Sequence, residues 1–357
     1  MIKKKIIIWS PSFQKDGDNK TSGQSIVTSL ISKEYSCAKK TVIYNKKGNN
    51  LVDYFFAVVK IFWLVLKNPN SVIYIVTSRS KIGFIRDFPA LLSTFLSRGK
   101  SIIHLHGSDI VVLHKLYPKT LRLLYSKAIV VYPSPHLSKF FCDSKLGKKS
   151  ICLENFLSLE NKDLKIRRSN KEKGGRLNIL WNSNIIRSKG IFHVARALEQ
   201  LQSENSFKYS FTVAGSIIES DSQLISTKRE IDLYVKKRVV NLVGPVSRSK
   251  MNSLLLEADL VPLVSQYPSE CQPLSIIEAM CFGRSILCLD TPALRATVGP
   301  YPCSWISKGS DEQIKLQISS KLLSGVKIPD LEDARHARQR FSKSRFLNEF
   351  KFIKDEY

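Results

Sequence analysis

The stretch Ser269–Asp290, SECQPLSIIEAMCFGRSILCLD, holds two glutamates, Glu270 and Glu278, with seven residues between them and a proline on the way. Pro273 suits a first helical turn and Gly283 suits the residue just past a helix end, so the spacing predicts a short helix over Pro273–Phe282. Glu270 then lies in the loop before the helix. On the helical wheel Glu278 falls beside the apolar face of Leu274, Ile277 and Cys281, where an unpartnered charge is expensive. The run SILCLD after Gly283 and Arg284 reads as a buried strand of a parallel sheet. A loop-borne acid, a helix N-terminus and a second acid further in suit a phosphorylated, hydroxyl-rich ligand.

Helix leading into buried strand is a pattern that runs through the chain. In the first half, strands are expected at Lys5–Trp9, Thr41–Tyr44, Ser71–Val76, Ser101–Leu105, Ala128–Tyr132 and Ser150–Leu153, with helical patterns between them. The charged tract ENKDLKIRRSNKEKGGR, ending at Arg176, lacks periodicity and reads as a linker. Alternation then restarts, with strands at Leu177–Trp181, Tyr209–Ala214, Val239–Val243, Asp259–Leu263 and Ser285–Leu289. The expected fold class is α/β: two doubly wound, Rossmann-like domains, 1–160 and 177–332, joined by linker 161–176 and facing a central cleft. A basic, amphipathic helical segment over 333–357, with Phe341, Phe346, Phe350 and Ile353 at helical spacing, is expected to cross back.

At 357 residues the chain suits two domains better than one core. The net charge of +26 is unevenly placed: residues 1–180 hold 32 Lys and Arg against 11 Asp and Glu, residues 181–357 hold 24 against 19. An anionic partner is therefore expected for the first half, nucleic acid or an acidic membrane face, against the plainer reading of a solvated lysine-rich surface. Seven cysteines without metal or disulfide spacing read as free thiols in a reducing, cytoplasmic compartment. The opening MIKKKIIIWSPS has too short an apolar run for a signal peptide. YFFAVVKIFWLVL, Tyr54–Leu66, is too short to span a bilayer and reads as a buried or interfacial helix.

Candidate site residues fall where strands end. Gly23, in TSGQS after the first strand, permits close approach to a phosphate or sugar, though a plain helix cap reads equally well. Asp16-Gly17-Asp18 reads as a turn. In IHLHGSDI, after the fourth strand, His106 is placed to hydrogen-bond a sugar hydroxyl, with a structural histidine as the even alternative, while His104 is expected to pack; no third ligand suggests a metal site. In NSNIIRSKG, Arg187 and Lys189 enter a helix together, and two cations beside free amides can stabilise a departing diphosphate; solvated surface charge is the other reading. Paired carboxylates also serve glycoside hydrolysis, which the doubly wound frame disfavours.

Together these residues resemble glycosyltransferase family 4, retaining enzymes of the GT-B fold that transfer a sugar from a nucleotide diphosphate sugar. The motifs carrying the resemblance are SECQPLSIIEAM with FGRSILCLD, VAGS at Val213–Ser216, VNLVGPV, EADLVPLVS, HLHGSD and the SN-x-x-R-S-K-G loop, in order. GFIRD, Gly83–Asp87, is similar to a segment of members that build bacterial surface polysaccharides such as capsule, O-antigen or exopolysaccharide. The resemblance implies that Glu278 binds the ribose hydroxyls, Glu270 the hydroxyls of the transferred sugar and Lys189 the diphosphate, with His106 near the reacting carbon. The loop Cys271, Gln272, Pro273 and Leu274 completes the implied donor site. It implies no metal and no cofactor beyond the nucleotide sugar, UDP-linked by default. The implied acceptor is a saccharide or a lipid-diphosphate-linked saccharide, met as a peripheral protein on the inner face of the cell membrane.

Two departures stand out. Asn184 occupies the position five before the lysine where the family has arginine, so Arg187 is expected to supply the missing charge. Cys271 replaces the usual glycine after the first glutamate. The competing classes are a nucleic-acid binder, which lacks aromatic or zinc-finger signatures, and a GT-B-like protein that binds glycan without turnover.

Overall fold

A computed structural model of the chain describes residues 6–10, 23–34, 41–42, 51–77, 81–157, 175–205, 207–218 and 221–356. It divides into two units, Met1–Asn155 with Phe346–Tyr357, and Phe156–Arg345. Most of the charged tract read as a linker, the Asp16-Gly17-Asp18 turn and Cys37 lie outside the described residues.

The first unit alternates strand and helix in chain order. Its elements are β1 (Ile6–Trp9), α1 (Gly23–Glu34), β2 (Thr41–Val42), α2 (Leu51–Lys67), β3 (Val72–Val76), α3 (Lys81–Ser93), β4 (Ser101–His104), α4 (Ile110–Leu116), α5 (Pro118–Tyr125), β5 (Ala128–Tyr132), α6 (Ser138–Ser144) and β6 (Lys149–Cys152). Every strand pair is parallel, in the order β2-β1-β3-β4-β5-β6. Strands such as VIYIV are buried along their length, as a sheet covered on both faces requires. The GFIRD motif serves this core: Asp87 is fully buried, receives Trp9 Nε1 at 3.0 Å and is held by Arg86 at 2.9 Å. A buried carboxylate so paired fixes α3 against β1 and is costly to disturb.

The second unit repeats the plan with β7 (Leu177–Trp181), α7 (Ile191–Ser203), β8 (Tyr209–Val213), α8 (Asp221–Lys236), β9 (Asn241–Leu242), α9 (Arg248–Glu257), β10 (Leu260–Leu263), α10 (Leu274–Cys281), β11 (Ser285–Leu289), α11 (Pro292–Val298), β12 (Ser304–Ile306), α12 (Asp311–Ser324) and α13 (Leu331–Arg340). The sheet is again parallel, in the order β12-β11-β10-β7-β8-β9. After β7 the chain builds outward through β8 and β9, then returns to place β10 on the other side of β7. The strand order reverses there, so the loops leaving β7 and β10 part and open a crevice at the carboxyl ends of the strands.

The last helix, α14 (Lys343–Glu356), supplies the returning segment. From Phe346 onward it groups with the first unit, where Phe350 meets Tyr74 edge-on at 5.6 Å and Phe346 stacks near His104. The doubly wound architecture and the returning C-terminal helix agree with the reading of the sequence.

Candidate functional site

In the second unit the crevice between β7 and β10 is lined by the loops that leave them and by the start of α10. Pro273, at φ −69° and ψ 120°, stands just before the helix, and no side chain caps its N-terminus. Gly283 at φ 66° ends the turn that follows, so the helix is bounded as its Pro and Gly require. Ser275 is buried in the first turn and its hydroxyl lacks a hydrogen-bond partner, a polar group waiting at a helix end that favours anions.

Glu278 sits in the second turn, 8% exposed. Asn182, one residue beyond β7, donates from Nδ2 to Glu278 Oε2 at 3.0 Å and to the Ser275 carbonyl at 3.1 Å. Arg248, the first residue of α9, pairs through Nη1 with Glu278 Oε1. The buried charge that the helical wheel demanded a partner for therefore has two, one cationic and one neutral.

Glu270 lies in the loop before α10. Ser265 donates to its Oε2 at 3.0 Å, and Lys189 Nζ stands 3.7 Å from the same oxygen while donating to Ser183 Oγ at 3.1 Å. Backbone geometry brings the lysine there. Gly190 follows a tight turn at φ 87°, and a Cβ on it would lie 2.2 Å from the Val264 carbonyl oxygen, so only glycine lets the loop press against the end of β10. Gln266 N bonds the Ser188 carbonyl at 2.7 Å and ties the two loops together. Gly215, in VAGS, leaves similar room for the Ser183 carbonyl, 2.1 Å from its would-be Cβ.

Arg187 has a partner on α8. Its Nη1 pairs with Glu230 Oε2 on α8 at 2.6 Å, and its guanidinium lies over the Phe192 ring at 4.8 Å. Glu230 also pairs with Arg196, so Arg187 enters a network of charges between α7 and α8. The cation paired with Glu278 is Arg248, which sequence reasoning missed because an arginine opening a polar helix looks like ordinary surface. Ser183, Asn182 and Ser265 were also missed as site members; their position one or two residues beyond a strand end is the signal that marks them.

Cys271 and Gln272 are buried in the loop ahead of Pro273 and Leu274. Cys271 is not among the described residues with positive φ, so the backbone takes a conformation that the cysteine permits. Burial pushes the Cys281 thiol up to about 12, and burial with its neighbour Cys303 raises Cys288, so neither is a thiolate at neutral pH.

Two candidates belong to the first unit. Gly23 is the first residue of α1. His106 follows β4 and stacks on His104 with ring centroids 4.4 Å apart; it lines a small cavity with Thr77, Gly107, Asp109 and Tyr125. His104 is buried, hydrogen-bonds Tyr74 Oη through Nδ1 at 2.6 Å, and is held well below the ordinary imidazole range by desolvation, with the His106 charge adding to it. Among the described residues no three His, Cys, Asp or Glu side chains gather as metal ligands.

The model of the family described as Glycosyl transferases group 1 matches residues 162–340, half of the chain. A search of the curated proteins finds no match. Among solved structures, a glycosyltransferase from Rickettsia africae ESF-5 is similar at 15% identity and TM-score 0.68, over 100% of this chain and 99% of that one. A sucrose-phosphate synthase from Thermosynechococcus elongatus is similar at 13% identity and TM-score 0.72, over 99% and 98% of the two chains. HepE from Anabaena, solved with UDP and glucose, is similar at 13% identity and TM-score 0.65, over 99% and 100%. At these identities the likeness is one of fold, and that fold is GT-B.

Proposed function

Because the chain belongs to the glycosyl transferases group 1 family, we propose that it is a retaining transferase using a UDP-sugar, moving a hexosyl or N-acetylhexosaminyl group to a saccharide or lipid-linked saccharide acceptor. The observation that carries this reading is the placing of Glu270 and Lys189 3.7 Å apart at the crevice that also holds Glu278 and the uncapped start of α10. Acids and cation so arranged suit a ligand with hydroxyls at both ends and a diphosphate between. The UDP bound to the Anabaena protein supports uridine as the base. The GFIRD segment supports a role in bacterial surface polysaccharide synthesis, and the basic first half supports a cytoplasmic, peripheral place at the membrane.

In this reading Glu278 accepts hydrogen bonds from the ribose hydroxyls, with Asn182 and Arg248 fixing its orientation. Lys189 and the first-turn amides of α10 hold the diphosphate. Glu270 holds hydroxyls of the transferred sugar. The acceptor oxygen bonds to the anomeric carbon on the face from which the diphosphate departs, while the bond from that carbon to the diphosphate oxygen breaks. The acceptor proton passes to the departing oxygen. Lys189 and the helix amides, without a metal, stabilise the charge that builds there, so the protein contributes position and electrostatics more than a strong base.

Thermal melting in a panel of nucleotide sugars tests the reading. A donor present at 100 times its dissociation constant stabilises the fold by about 2.7 kcal/mol, which shifts the melting temperature by several degrees. A UDP-sugar that does so supports the proposal, and a panel in which no nucleotide sugar shifts the melt contradicts it.

A further inference from the structure

Helix α2 is apolar on both sides. Its inner face, Ala57, Ile61, Leu64 and Val65, is buried in the first unit. On the outer face Phe55, Phe56, Trp63 and Leu66 are 63%, 64%, 54% and 63% exposed. An ordinary surface helix carries polar residues there. Helix α3 packs beside it, with Tyr54 Oη donating to the Arg86 carbonyl at 2.9 Å, and exposes Ile82 and Ile85 at 82% and 70%. Right-handed crossovers from β2 to β3 and from β3 to β4 place both helices on the same face of the sheet. Apolar and aromatic side chains thus stand in water along two neighbouring helices, the mark of a docking surface.

The charges around them indicate what docks. Lys60 and Lys67 are exposed on α2, and Lys67 Nζ lies 4.6 Å from the centre of the Trp63 ring. Lys119 and Arg122 are exposed on α5, which packs against α3. This face belongs to the half of the chain with 32 basic against 11 acidic residues, so a second copy would bring like charge against like charge. Phenylalanine, tryptophan and leucine fringed by lysine match the interface of an anionic bilayer, where rings enter the headgroup boundary and ammonium groups meet phosphates. Among the described residues no helix is long and apolar enough to cross a membrane, so the contact lies along the surface.

We propose that the outer face of α2 and α3 docks on an anionic lipid bilayer. The inference deepens the membrane placement proposed above, and it is tested without substrates, so it can fail while the transferase reading stands. Full-length protein is floated with vesicles of phosphatidylcholine alone or with phosphatidylglycerol added, alongside a variant carrying Phe56→Glu, Trp63→Glu and Ile85→Glu. The wild type is expected to float with the anionic vesicles and the variant to bind about tenfold more weakly or worse. UDP release with a water-soluble acceptor should be unchanged in the variant. Trp63 gives a second readout in the unaltered protein: Trp9 and Trp181 are buried and Trp305 is half-buried under Arg295 in the second unit, so a blue shift of emission on anionic vesicles that disappears in Trp63→Phe reports this helix. No binding to anionic vesicles, equal binding by the triple variant, or a triple variant that changes only from dimer to monomer by light scattering would each overturn the proposal.

Discussion

Asn182 Nδ2 and Glu278 Oε2 lie 3.0 Å apart, joining the end of β7 to the second turn of α10. The same amide reaches the Ser275 carbonyl, so one side chain fixes both the helix start and the acid buried behind it. Hydrogen bonds to a charged group contribute about 1.5–3 kcal/mol. Glu278→Gln keeps the shape and removes the charge, and is expected to weaken UDP binding about ten- to hundredfold by titration calorimetry.

Arg248 and Arg187 separate by experiment. Arg248→Ala removes the cation from Glu278 and is expected to weaken UDP binding about tenfold. Arg187→Ala breaks a partly exposed pair with Glu230, worth about 0–1 kcal/mol, and should change UDP affinity less than about twofold. The opposite ranking would restore Arg187 as the substitute for the cation missing at Asn184.

How much of this was legible in sequence differs by residue. The strands Ala128–Tyr132, Leu177–Trp181 and Ser285–Leu289 span the residues expected of them, because strands covered on both faces are mostly apolar, with Asn178 and Ser285 the polar residues among the three. The helix expected at Pro273–Phe282 is Leu274–Cys281 with the two predicted ends standing just outside it. The demand of Glu278 for a partner was readable from its place on the wheel, but the partner was not. Arg248 is thirty residues earlier in the chain, and pairing across an α/β crossover leaves no local pattern. The pairing of Arg187 with Glu230 was unreadable for the same reason: Glu230 lies on a helix that nothing in NSNIIRSKG announces. β12 escaped notice because SWI is short and mixed.

Gly190 holds the Lys189 loop against β10. Gly190→Ala meets both a positive φ and a Val264 oxygen 2.2 Å away, and is expected to cost about 3 kcal/mol of stability by urea unfolding, with loss of UDP binding as the loop moves.

His104 is buried beside Tyr74 and His106, and its folded pKa lies below the ordinary imidazole value of 6.5. The unfolded chain therefore binds the proton first as pH falls. Its contribution to stability is full above about 6.5 and is lost as pH drops from there toward the folded value, by up to about 1.4 kcal/mol per unit. Melting followed between neutral and mildly acidic pH should show a shallower decline in His104→Gln than in the wild type.

The transferase reading stands or falls on release of nucleoside diphosphate from UDP-sugars in the presence of saccharide acceptors. Acceptor-dependent release is expected with at least one donor, reduced about a hundredfold or more in Lys189→Ala and in Glu278→Ala, both of which remain folded by circular dichroism. Release that survives unchanged in both variants, or no release with any donor, would contradict it.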